Sequence, residues 1–139
     1  MTTLLREWLW QNFTRAHVLA WLSAFVFTQV VECPLYLVAM RGSKRPVRSR
    51  LMIAFGASLI THPIVWFVIP DLSYTLIDPW AHPAAAYAAM VAFAESFAVG
   101  VEAIYLARLE VEDAWLWSLA ANAASAGLGL GSRWLFGWP

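Results

Sequence analysis

Four long apolar stretches take up most of the chain and constrain its fold more than any other feature. A helix that crosses the hydrocarbon core of a bilayer needs about 20 mostly apolar residues. Four stretches have this length, at 17–40, 51–70, 84–107 and 114–136. We therefore predict an all-α polytopic membrane protein in which residues 1–139 form a single transmembrane domain. Short loops make consecutive helices antiparallel neighbours, so the expected architecture is an antiparallel four-helix bundle.

The composition favours the same class of protein. Hydrophobic residues make up 61% of the chain and charged residues 13%, whereas soluble domains carry about 25% charged residues. Nine Lys and Arg residues balance nine Asp and Glu residues, so the net charge predicts no nucleic-acid partner. The expected partners are the lipid bilayer and either further copies of this chain or other subunits of a membrane complex. The single cysteine, Cys33, excludes an internal disulfide and a cysteine-cluster metal site.

The basic residues predict the orientation in the membrane. Five of the nine lie within 41–50, whereas the segment 71–83 contains none. The positive-inside rule then places the loops 41–50 and 108–113 in the cytoplasm and both termini outside. The expected location is the inner (plasma) membrane of a bacterium. Residues 1–16 fit either a short amphipathic helix lying in the interface or an extension of the first span.

Four ionisable residues lie inside the predicted spans. Each costs about 2.5–3.5 kcal/mol at the centre of a membrane helix on insertion scales, so such groups usually face the bundle interior and mark a functional site. Glu95 and Glu102 are separated by almost two helical turns and therefore share one face. Carboxylate and imidazole groups suit a borderline divalent metal. The predicted ligands are Glu32, His62, Glu95 and Glu102.

Uncharged polar residues follow the same spacing on the neighbouring spans. Asn122 lies at the middle of the fourth span, and Thr28 and Tyr36 share a face with Glu32 on the first. Exposing these polar faces to lipid costs free energy, so we expect all of them to face the bundle interior. This arrangement predicts one shared site. Pro34 and Pro63 each remove a helical hydrogen bond near this site and predict local interruptions of the helix. The predicted supporting residues are Gln29, Ser58, Thr61, Asn122 and Ser125.

These motifs resemble those of a group of small, uncharacterised four-span bacterial membrane proteins. The resemblance covers nearly the whole chain and rests on a Glu in the first span, Thr-His-Pro at 61–63, the spaced glutamates of the third span and Asn-x-x-Ser in the fourth. It implies one common site but no particular activity. A weaker likeness links the chain to glutamate-type intramembrane proteases. That family's paired glutamates followed by arginine are absent, as is its second intramembrane histidine, so its catalytic roles are not transferred.

Three functions are compatible with this pattern. The site could bind or translocate a proton or a divalent cation, in which case a metal ion is the candidate cofactor. The chain could instead be an accessory subunit of a larger membrane complex, with the polar residues holding the helices in register. In an intramembrane hydrolase, a glutamate would act as general base, His62 would orient it and Asn122 would stabilise the oxyanion. No strong catalytic motif is present, so an enzyme is the less favoured interpretation.

Overall fold

The computed structural model of the chain describes residues 14–76 and 81–137. Within these residues the chain forms α-helices and no strand, which confirms the all-α prediction. The prediction of an interfacial helix at 1–16 falls mainly on residues 1–13, which lie outside the described residues. The helices are α1 (Arg15–Ala39), α2 (Val47–Phe67), α3 (Ile69–Leu76), α4 (Pro83–Arg108) and α5 (Ala114–Phe136).

Local sequence accounts for where the long helices begin. The Thr14 hydroxyl accepts a hydrogen bond from the backbone N–H of His17 at 3.3 Å and so caps α1. Pro83 begins α4, at a position where its missing N–H costs nothing. α5 follows Asp113, as the sequence predicts. However, Asp113 has a left-handed backbone (φ 52°) and its side chain makes no capping hydrogen bond.

The second predicted span, 51–70, differs from the structure at both ends. α2 begins earlier, at Val47, and ends at Phe67, after which Ile69 begins the separate helix α3. Pro70 explains this division, because it has no N–H to donate to the carbonyl of Trp66. The segment 71–83, predicted as a loop, is therefore helical as far as residue 76.

Both internal prolines are accommodated within helices. Pro34 lies inside α1 and Pro63 inside α2, and each helix continues through its proline. The expected interruption of the helix at Thr61-His62-Pro63 is therefore wrong, since His62 remains helical. Packing of α2 against its neighbours outweighs the local preference of the residue that precedes a proline.

The long helices pack side by side. α1 contacts α2 and α5, α4 contacts the same two helices, and α3 packs against α2 and α4. A cluster of buried apolar residues lies where these helices approach the loops at 41–46 and 109–113. Its members are Tyr36, Met40, Ile53, Ala54, Ala57, Leu106, Val111, Ala114 and Ala121, and we call it the loop-side core.

Three of the described helices, α1, α2 and α4, are long and apolar enough to cross a membrane. They indicate a membrane protein. α5 has 23 residues but is not among these three, because its Asn, Ser and Gly residues lower its mean hydropathy.

The distribution of side chains reverses that of a soluble protein. Large apolar residues face outward, with Val30 69% exposed and Leu116 63% exposed. Meanwhile Glu32 and Glu102 are each only 1% exposed, and Ser118 is fully buried. A polar interior beneath an apolar exterior suits a lipid surrounding, where an exposed apolar side chain carries no cost.

Candidate functional site

The Glu32 carboxyl lies between three helices. It extends from α1, and Ser58 on α2 donates a hydrogen bond to its Oε2. Ser125 on α5 donates to Oε1 at 2.5 Å. Each oxygen of the carboxyl therefore has one hydroxyl partner from a different neighbouring helix. The contacts depend on α1 packing against both α2 and α5.

The Glu102 carboxyl on α4 has a fuller set of donors. Thr61 on α2 donates to Oε1 at 2.6 Å. Oε2 accepts from the Tyr36 hydroxyl on α1 and from Nδ2 of Asn122 on α5, the latter at 3.0 Å. One carboxyl thus joins four helices. Among the described residues, no Lys, Arg or His side chain pairs with Glu32 or Glu102.

Two of these hydroxyl groups have a second acceptor within reach. Thr61 Oγ1 lies 3.3 Å from the carbonyl oxygen of Ser58, and Ser125 Oγ lies 3.1 Å from that of Asn122. A hydroxyl can donate one hydrogen bond and accept others. Each can therefore donate to a carboxylate, or accept from a carboxylic acid while donating to the backbone carbonyl. The same positions of the heavy atoms accommodate both protonation states of Glu32 and of Glu102.

A cavity of about 140 Å³ lies beside the two carboxyls. It has room for a few water molecules. All four predicted metal ligands line it, together with four of the five predicted supporting residues: Glu32, His62, Glu95, Glu102, Ser58, Thr61, Asn122 and Ser125. The structure therefore brings these eight side chains to one place.

Gln29 is the supporting residue that does not line the cavity. Its Nε2 donates to the carbonyl of Phe55 at 3.3 Å, and its Oε1 accepts from Cys33 Sγ at 2.9 Å. Gln29 thus ties α1 to α2 beside the cavity. The single cysteine is held within the same contact.

His62 lines the cavity but does not bind a carboxyl. Its Nε2 lies 3.4 Å from Thr28 Oγ1. Its Nδ1 is buried and has no hydrogen-bond partner among the described residues. Aromatic rings surround the imidazole, with that of Phe25 at 5.3 Å between centroids and that of Trp66 stacked at 6.3 Å.

Glu95 takes no part in the hydrogen bonds of Glu32 and Glu102. Its side chain is half-buried and lines the cavity. No hydrogen bond from the described residues reaches its carboxyl. The sequence predicts Asn122 at the middle of the fourth span. In the structure its side chain binds Glu102, which lies almost two turns after Glu95 on α4.

The described residues do not form a compact metal cluster. Within 14–76 and 81–137, no group of three or more His, Cys, Asp or Glu side chains is placed to hold a metal ion. The metal-ligand assignment of Glu32, His62, Glu95 and Glu102 stays a prediction.

Sequence reasoning missed two partners in this network. Tyr36 was recognised on the polar face of α1, but its bond to Glu102 was not predicted. Its position four residues after Glu32 was the available signal. The second partner is the carbonyl of Val99, which accepts from Ser118 Oγ at 2.9 Å and so joins α4 to α5. No side-chain pattern reveals a backbone acceptor.

Comparison with known proteins adds no assignment to this geometry. No protein-family model, no curated protein and no solved structure matches the chain.

Proposed function

We propose that this chain is a small integral membrane protein, an antiparallel four-helix bundle, whose Glu32 and Glu102 carboxyls line one cavity and bind and exchange a proton. The observation that carries the proposal is the pair of hydroxyls with two acceptors each, Thr61 Oγ1 and Ser125 Oγ. They allow a proton to be gained or lost by rotation of hydroxyl hydrogens, without repacking of the helices. A site that only held helices together would not need this freedom.

The cost of burial also supports a proton as the ligand. A buried carboxylate without a counter-charge is expensive, and two in one network repel each other. The hydrogen bonds to Glu32 and Glu102 come from neutral side chains rather than cations. A bound proton removes the charge and can be accepted in the existing geometry.

α5 is the fourth span in this proposal. Its 23 residues extend about 34 Å at the usual helical rise, enough for a hydrocarbon core of about 30 Å. It supplies Asn122 and Ser125 to the site, so their polarity is masked inside the protein. Its outward residues are apolar, among them Leu119 and Leu128, each 56% exposed. The basic segment 41–50, which comprises the loop after α1 and the first residues of α2, lies on the cytoplasmic side, and both termini lie outside, in a bacterial inner membrane.

Infrared spectroscopy of the purified protein in lipid tests the proposal. A protonated carboxyl has a C=O stretching band that shifts in D₂O. We expect this band to change with pH in the wild type, and to lose intensity in both Glu32→Gln and Glu102→Gln. The control is Glu110→Gln, because that side chain is 90% exposed in a loop. A wild type without a titrating band, or a full band in both variants, would contradict proton binding.

A divalent cation is the second candidate ligand. It is favoured by the three carboxylates and one imidazole around a single cavity: Glu32, Glu95, Glu102 and His62. Metal analysis of the purified protein, with Glu95→Gln and His62→Ala as matched variants, tests it. A metal content that is unaffected by either variant, or absent in the wild type, would remove this candidate.

The hydrolase alternative receives less support from the contacts. Nδ2 of Asn122 already donates to Glu102 Oε2 and to the carbonyl of Ser118, each at 3.0 Å. Stabilising an oxyanion would require one of these bonds to break. His62 makes its side-chain hydrogen bond to Thr28 rather than orienting a glutamate. The accessory-subunit alternative stays a prediction, and co-purification with larger subunits at fixed stoichiometry would support it.

A further inference from the structure

Four aromatic side chains that pack together between α1 and α2 each have a buried ring nitrogen without a hydrogen-bond partner among the described residues. These nitrogens are His17 Nε2, Trp21 Nε1, His62 Nδ1 and Trp66 Nε1. We call these four side chains the ring-nitrogen cluster. An indole N–H can only donate, and leaving it buried without an acceptor costs about 1–3 kcal/mol. Ordered water commonly satisfies such groups.

The cluster forms a continuous series of rings. The centroids of His17 and Trp66 are 5.9 Å apart, and those of Trp66 and His62 are 6.3 Å apart. Trp21 lies 6.4 Å from His62 on the α1 side. The series begins at His17, in the first turn of α1, and ends at His62.

His62 connects this series to the polar cavity. It lines the cavity, and its Nε2 lies 3.4 Å from Thr28 Oγ1, which lines the cavity too. The cavity extends in the same direction, since Ala24 on α1 and Val65 on α2 are also part of its wall. Polar groups thus continue from the N-terminal end of α1 to the Glu32 and Glu102 carboxyls.

The opposite end of the cavity is closed. Tyr36, Ala54 and Leu106 of the loop-side core are completely buried, and Met40 is only 3% exposed. A second cavity, of about 410 Å³, lies beyond this core between the loops at 41–45 and 109–113. It shares no lining residue with the central cavity. Apolar packing therefore separates the carboxyls from the loop side.

We infer that water enters the central cavity only from the N-terminal end of α1, along the ring-nitrogen cluster, while the loop-side core blocks entry from the other face. The inference deepens the proposed function by naming the face with which the carboxyls exchange protons. Only the statement about proton exchange rests on the proposed function, because water can enter the cavity whether or not either carboxyl titrates.

Cysteine accessibility tests the route directly. In a Cys33→Ser background, Thr28→Cys and Ala98→Cys each place a thiol in the wall of the cavity, on α1 and α4. A charged, membrane-impermeant methanethiosulfonate reagent is added to one face of sealed vesicles at a time. Gly42→Cys identifies the loop face, because a Cβ there meets no atom within 4 Å. Val30→Cys, 69% exposed at the lipid surface, is the control for a thiol without water.

We expect both cavity thiols to react from the face opposite Gly42→Cys, and Val30→Cys to react from neither face. Adding Trp66→Phe keeps the stacked ring but removes the N–H, and should slow labelling of Thr28→Cys about tenfold through loss of one water contact. Two cavity positions on different helices guard against a single variant that fails to fold.

Labelling of both cavity thiols from the loop face, or of neither from any face, would overturn the route. An unchanged rate after Trp66→Phe would exclude the ring-nitrogen cluster as its lining. These readouts are independent of the infrared band of Glu32 and Glu102. Loss of proton binding with intact labelling of the cavity thiols therefore refutes the proposed function alone. A titrating infrared band without the expected labelling refutes the route alone.

Discussion

Ser125 and Glu32 lie 93 positions apart in the chain, yet the Ser125 hydroxyl donates to Glu32 Oε1 at 2.5 Å. The same hydroxyl lies 3.1 Å from the carbonyl of Asn122, one turn earlier on α5. The Ser125 hydroxyl therefore connects α1 to α5. It can donate a hydrogen bond to Glu32, or accept one from a protonated Glu32 while donating to the carbonyl of Asn122.

Ser125→Ala should destabilise the protein by about 1 kcal/mol, because Glu32 Oε1 loses the one hydroxyl partner that it has among the described residues. The matched control is Ser96→Ala. Ser96 is exposed and its hydroxyl donates to the carbonyl of Ala92 on the same helix rather than to a neighbouring helix, so this change should stay within about 0.5 kcal/mol. Denaturation of both variants in detergent measures the difference. Equal stabilities for the two would count against a structural role for the contact between α1 and α5.

Glu102→Gln and Glu102→Leu should differ clearly in stability. A glutamine can accept from Tyr36 and Asn122 through its oxygen and donate to Thr61 Oγ1 through its amide, as a protonated glutamic acid would. Leucine removes the acceptor of the Tyr36 hydroxyl and of one N–H of Asn122, whereas Thr61 can still donate to the carbonyl of Ser58. We expect a cost of about 1–3 kcal/mol. The free energy of unfolding of both variants in detergent provides the measurement. A glutamine variant as unstable as the leucine variant would show that the network requires a charged carboxylate.

Tyr36→Phe should remove one hydrogen-bond donor from Glu102 without leaving a cavity in the loop-side core. The ring is completely buried in the loop-side core, so phenylalanine retains its packing while Glu102 Oε2 loses one donor. We expect a loss of about 1 kcal/mol in stability. The Glu102 infrared band should also move toward that of a more weakly hydrogen-bonded carboxyl. Tyr105→Phe, on a half-buried tyrosine outside the network, is the control and should leave the band in place.

Gly56→Ala should report how closely α2 approaches α4. A Cβ at this position would lie 2.6 Å from the Tyr105 hydroxyl oxygen, so the tyrosine or its helix must move. We expect a cost of about 1–3 kcal/mol. Adding Tyr105→Phe removes that oxygen and should recover most of the loss, which a double-mutant cycle measures. Gly100→Ala is the control, because a Cβ there meets no atom within 4 Å. A cost that Tyr105→Phe does not reduce would locate the strain elsewhere.

The sequence was enough to predict which residues share the candidate site. Charged and polar groups are rare in apolar helices, so the spacing of Glu95 and Glu102 and the face shared by Glu32 and Tyr36 were visible without coordinates. Eight of the nine predicted site residues line one cavity for this reason. The pairing inside the cavity was not visible, because a helical period gives the face of a residue but neither the depth nor the rotation of the neighbouring helix.

Local sequence patterns predicted the ends of helices less reliably where the packing of neighbouring helices favours a different backbone conformation. The Thr-His-Pro sequence predicted an interruption at His62, but α2 continues to Phe67. Pro70 marks the actual break, and α3 forms in a segment whose length and composition suggested a loop.

The sequence by itself determined an all-helical chain with a polar interior and an apolar exterior, because lipid exposure and helical period act on each segment separately. Only the tertiary structure decided that Glu32 is bound by Ser58 and Ser125, and that Glu102 receives Asn122. It alone separated His62 from the carboxyls and left its Nδ1 without a partner in the part of the chain that the structure describes. The physical reason is that hydrogen bonds require atoms within about 3 Å. Such distances arise from the relative depth and rotation of packed helices, which no local pattern encodes.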